Sequence, residues 1–146
     1  MNNPSGNARP GLSALLASAL LTVAMGAGVA SAQQVKVTLS GDQEVPAVKT
    51  SGAGSGAISV AADKSVSGSV TTTGVAGTMA HIHEAAPGKN GPVVIPLSKS
   101  GDGTWSVPAG AKLTDAQFSS FKAGNLYVNV HSVANPGGEV RGQLKP

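Results

Sequence analysis

The sequence predicts an all-β protein of about eight short antiparallel strands, with one short helix before the last hairpin. Three observations carry this expectation. Glycine and serine recur every few residues between short β-branched stretches, as in proteins whose strands are joined by tight turns. Apolar side chains alternate with polar ones inside those stretches, the period of a half-buried strand. Only one segment carries helix-capping chemistry.

In chain order, residues 1–32 read first as a cleavable secretory signal. Arg9 is the only charge, an apolar run extends from Leu12 to Val29, and Val29-Ala30-Ser31-Ala32 supplies the small residues of a signal-peptidase site. A retained membrane anchor is the rival reading. Gly, Ser and Thr dilute the run, however, and no positive cluster follows it. Cleavage leaves residues 33–146 as one small domain, periplasmic or secreted, with no further segment able to span a membrane.

Within that domain Val35, Val37 and Leu39 share one face of a first strand, and Ile58 and Val60 one face of a second. Val66, Val70 and Thr72 mark a third. Strands are then expected over Met79–Glu84, Val93–Leu97, Thr104–Val107, Leu126–His131 and Glu139–Leu144. The helix begins at Leu113-Thr114-Asp115-Ala116-Gln117-Phe118. Thr114 is the N-cap and Gln117 its reciprocal partner in a capping box, Leu113 and Phe118 form a hydrophobic staple, and Gly124 is the stop. Asn135-Pro136-Gly137-Gly138 is a turn that pairs the last two strands as an antiparallel hairpin.

Composition excludes several functions. Nine basic and seven acidic residues remain after cleavage, and the lysines never form a block, so there is no nucleic-acid footprint. The chain has no cysteine, hence no disulfide, thiolate nucleophile or thiolate metal ligand. No Gly-x-Ser-x-Gly elbow is present, and Asp42 and Glu44 are too isolated to argue a glycosidase pair.

The three histidines are the most informative residues. His81 and His83 flank Ile82, so on a strand both imidazoles face one way and Ile82 faces the core. In Leu126-Tyr127-Val128-Asn129-Val130-His131 the aliphatic residues make the buried face, which puts His131 opposite, with Tyr127 and Asn129. Should the two strands be neighbours, His81, His83 and His131 can converge on one ion. Neutral imidazoles suit copper and zinc alike, and disfavour calcium and magnesium. Met79, two residues before His81, is a further candidate ligand whose thioether favours Cu(I). Glu44, Glu139 and Arg141 are candidates for an outer shell in which carboxylates receive the distal imidazole N–H groups. The plainer alternative makes Glu139 and Arg141 a solvated pair.

Leu39-Ser40-Gly41-Asp42-Gln43-Glu44-Val45-Pro46, Ala80-His81-Ile82-His83 continuing to Gly91-Pro92-Val93-Val94, and the run from Leu126 to His131 on through Asn135-Pro136-Gly137-Gly138 to Leu144 together resemble the CHRD domain, named after its occurrence in chordin. The likeness covers nearly all of residues 33–146. It implies an antiparallel, Greek-key-like β-sandwich. The histidine layout is also similar to copper,zinc superoxide dismutase, and that resemblance implies copper ligation by His81, His83 and His131, with Arg141 near an anion-guiding position. The chain has no histidine left to bridge copper to zinc, no zinc-binding loop and no cysteine pair, so the likeness supports the copper site more than the dismutase reaction. The readings to test are therefore an exported copper-binding, carrying or buffering protein, a superoxide-dismutase-like redox enzyme, and a protein-interaction or structural module without metal.

Overall fold

Alternation converts directly into strands. The computed structural model describes residues 31–146. The expected signal lies outside the described residues except for Ser31 and Ala32, both exposed ahead of the first strand. The elements are β1 (Gln33–Ser40), β2 (Ala53–Val60), β3 (Val66–Thr73), β4 (Gly77–Glu84), β5 (Val93–Gly101), β6 (Thr104–Ser106), α1 (Asp115–Lys122), β7 (Leu126–Ser132) and β8 (Val140–Leu144). Val35, Val37, Leu39, Ile58, Val60, Val66 and Val70 are all buried, as the period of two requires.

The expected two-sheet sandwich is corrected by the pairing. All eight strands join one closed barrel in the order β1-β2-β3-β6-β5-β4-β7-β8, with every pairing antiparallel. Inward-outward alternation is the same in a sandwich and a barrel, so it does not say which edges meet. Closure rests on two short contacts. β6 pairs with β3 over three residues, including Val70 opposite Trp105, and β1 meets β8 at the single pair Ser40 and Arg141. β4, β5 and β6 lie side by side and β7 returns beside β4, which is a Greek-key order.

That return connection contains α1. Thr114 Oγ1 accepts from the Gln117 N–H at 3.2 Å, and Gln117 Oε1 accepts from the Thr114 N–H at 2.9 Å, completing the capping box. Gly124 ends the helix with φ +74°, a conformation that costs glycine nothing. Phe121 is fully buried, and its ring stacks with Phe118 at 6.4 Å between centroids. The helix thus caps the core that Trp105, Ile82, Leu126, Val128, Val130, Val140 and Leu144 fill.

The outer face of β7 is also buried, so that all seven of its residues are shielded from solvent. Segments 41–52, 85–92 and 133–139 cover it. Asn90 Nδ2 donates to the Val45 carbonyl at 2.7 Å, and Thr50 Oγ1 donates to Glu139 Oε1 at the same distance, tying these segments together. The molecule therefore has an aliphatic core inside the barrel and a second, polar layer outside it.

Candidate metal centre

The polar layer is built on the β4–β7 ladder. Met79 lies opposite His131, His81 opposite Asn129, and His83 opposite Tyr127. Residues directly opposite in an antiparallel pair share a face, so all three histidines project together while Ile82, Val128 and Val130 enter the core. His81 Nδ1 and His131 Nε2 are 3.0 Å apart, and one ring nitrogen from each histidine lies within 4.8 Å of the other two. Holding an ion about 2.0–2.1 Å from each nitrogen would need the His81 and His131 nitrogens to part slightly and the more distant nitrogen to move inward.

Backbone carbonyls orient two of the rings. His83 Nδ1 donates to the Gly91 carbonyl at 3.0 Å, and His131 Nδ1 donates to the Pro136 carbonyl at 2.9 Å. A neutral ring that donates through Nδ1 has a bare lone pair at Nε2. Nε2 of His83 is buried and has no hydrogen-bond partner, and neither has the Asn129 Oδ1 acceptor. Buried acceptors without donors are costly unless something electropositive meets them. The donor set therefore fits a cation that prefers nitrogen ligands.

The environment favours the neutral forms of His81 and His83. Burial lowers the His81 pKa below the ordinary histidine value, and the nearby His131 and His83 lower it further. Burial likewise lowers His83, more than the Gly91 carbonyl and the Asn129 side chain raise it, with His131 and Arg141 adding to the depression. Glycine at 91 is a steric requirement, because a Cβ there would overlap the Glu84 carbonyl.

The other expected site residues take distinct places. Met79 shares the face of His81 and stands in register with His131, but 48% of its surface is exposed. Glu44 is buried and accepts from Asn129 Nδ2 at 3.2 Å. Burial raises its pKa, against the opposing pull of that bond and of Arg141. Glu139 accepts from Thr50, and hydrogen bonds, that from Ser132 foremost, hold its carboxyl below the usual range. The N–H groups of His83 and His131 go to main-chain carbonyls, while these carboxylates serve Asn129 and Thr50. Glu139 and Arg141 do not pair; Lys64 and Asp115 form the ion pair among the described residues.

Arg141 is only 1% exposed. Its guanidinium sits 3.4 Å from the centroid of the Tyr127 ring, and that ring stacks on His83 at 4.9 Å with 6° between the planes. Its nitrogens donate to Asn90 Oδ1 and Gln143 Oε1, each at 3.3 Å.

Sequence reasoning placed Tyr127 and Asn129 on the face of His131 but gave them no role at the site. The carbonyls of Gly91 and Pro136 were missed as partners of the histidines, since a main-chain acceptor has no residue-type signature. No curated protein and no solved structure matches the chain. A model of the CHRD domain family does match, over residues 35–144, which takes in the helix and every strand but for the first two residues of β1. The chain belongs to the CHRD domain family.

Proposed function

We propose that this is an exported metal-binding protein that holds copper through His81, His83 and His131, in order to bind, carry or buffer the ion. One observation carries the reading: His83 Nε2 is a buried lone pair without a donor, in a trio whose other two members offer nitrogens within 4.8 Å. Three neutral imidazoles with no thiolate suit copper, with zinc as the alternative. Met79 is the fourth ligand of the Cu(I) form, its register with His131 supporting that role and its exposure leaving it free to move. Asn129 steadies the site from within, between Glu44 and the histidines. Export follows from the composition of residues 1–32 and agrees with a ligand set that needs no reduced thiol. No described helix is long and apolar enough to cross a membrane.

When bound, the ion supplies Lewis acidity and one-electron chemistry. The chain's own part is to hold three imidazole nitrogens in place, the Gly91 and Pro136 carbonyls fixing which nitrogen of His83 and of His131 would face the ion, while without the ion His131 Nε2 accepts from His81 Nδ1 at 3.0 Å. Titration calorimetry of residues 33–146 with Cu(II) and with Cu(I) tests the reading. One ion should bind per chain, and His81→Ala should weaken binding at least tenfold. Unchanged stoichiometry and affinity in that variant would sink the proposal and favour an interaction module whose histidines are incidental.

A redox enzyme is the second reading, favoured by the partial exposure of His81, which leaves one side of the trio approachable by a small oxidant. Superoxide turnover by the copper-loaded protein above that of free copper would support it. Turnover no greater than that of free copper would reject it.

A further inference from the structure

Arg141 has an unusual setting for a guanidinium. It is almost wholly buried, yet its hydrogen bonds go to neutral acceptors: Asn90 Oδ1, Gln143 Oε1 and the Ala86 carbonyl. A buried arginine stays protonated and ordinarily has a carboxylate against it. Glu44 is the carboxylate close enough to be felt electrostatically, but it makes no salt bridge with Arg141 and its hydrogen bonds go to Asn129.

The charge is instead laid against an aromatic ring. β7 runs between β4 and β8, so Tyr127 has His83 on its β4 side and Arg141 on its β8 side. The 3.4 Å guanidinium contact and the near-parallel imidazole make a continuous stack of Arg141, Tyr127 and His83. The Gly91 N–H donates to the Tyr127 hydroxyl at 3.2 Å while the Gly91 carbonyl accepts from His83 Nδ1, so one residue locks both rings of the stack. A cation over one face of a phenol draws its π density away, and a ring stacked on the other face becomes a poorer electron donor. A poorer nitrogen donor beside a fixed positive charge disfavours a divalent ion more than a monovalent one.

We infer that Arg141 and Tyr127 are positioning residues that set the redox preference of the three-histidine site, biasing it toward Cu(I) through the stack on His83. The inference rests on the copper reading and adds to it the reason for a buried arginine beside the site.

Chelator competition with Cu(I) and with Cu(II) on the unsubstituted chain, Arg141→Met and Arg141→Lys tests it. Arg141→Met should lower the ratio of Cu(I) to Cu(II) affinity about tenfold, a fall of about 59 mV for a one-electron couple. Arg141→Lys, which keeps the charge but loses the planar contact with Tyr127, should give a ratio between that of the unsubstituted chain and that of Arg141→Met. Should Arg141→Met fail to fold, Arg141→Gln, neutral but still able to donate to Asn90, has the same expected outcome. A structural role alone would weaken both ions equally, and an unchanged ratio in a folded, ion-binding neutral variant overturns this inference while leaving the site standing. Failure of the unsubstituted chain to bind either ion overturns both the site and the inference.

Discussion

At the scale of single residues, His81 and His83 couple the fold to pH. Burial depresses both pKa values, so below the ordinary histidine value of about 6.5 the unfolded chain takes up protons that the folded chain refuses. Stability of the ion-free protein should be level above about pH 6.5 and should fall as the pH drops through that value toward the depressed folded values. Thermal melts between pH 7.5 and 5 check this, and His81→Gln should flatten the slope. Gly138 makes a different kind of demand. Its φ is +127°, and a Cβ there would overlap Asn129 Nδ2 and press on Glu44 Oε1, the two groups that bond each other behind the site. Gly138→Ala should cost about 1–3 kcal/mol in denaturant unfolding and loosen ion binding. The histidines were legible because alternation assigns faces, and Ile82 is indeed in the core. The role of Asn129 was not, because a polar residue on an outward face gives no sign that loops will bury it.

Among the elements, α1 was the most fully legible, since its cap depends on residues only three apart. Thr114→Ala removes a hydroxyl that satisfies the Gln117 N–H and should lower stability by about 1 kcal/mol in denaturant unfolding. The strands were legible as faces, but pairing partners were not. β6 is three residues long, and its place between β3 and β5 depends on Trp105 lying opposite Val70 and Lys99, a contact between distant parts of the chain. The convergence of the histidines likewise needed β4 beside β7, which no local pattern encodes. The β4–β7 pairing shifts register between Gly77 and Met79, and Gly77 leaves room there for the Trp105 ring. That irregularity sits at the end of β4 where Met79 stands, just before the run of histidines.

Taken as a whole, the molecule separates stability from chemistry: aliphatic packing lies inside the barrel, and the polar layer outside it is sealed by three connections. Ion binding should therefore stabilise a fold that already exists. At free copper a hundredfold above the dissociation constant the gain is about 2.7 kcal/mol, visible as a rise in melting temperature that His131→Ala abolishes. Barrel closure was the part least legible in sequence, because it depends on a meeting of chain ends. Gly142 shows how closely those ends approach, since a Cβ there would overlap the Thr38 carbonyl and lie 2.6 Å from Val37 Cγ2. Gly142→Ala should push β8 off β1 at a cost of about 1–3 kcal/mol, read by denaturant unfolding. The meeting of Ser40 and Arg141 then acquires a kinetic meaning. A seam one residue pair long is a natural place for the first brief breathing motion of the native state, and the side chain that it would set loose backs the Tyr127 ring that stacks on His83. Occupancy of the site and slow amide exchange along β1 and β8 should rise together, so the ion would act as a latch on the barrel from outside its wall.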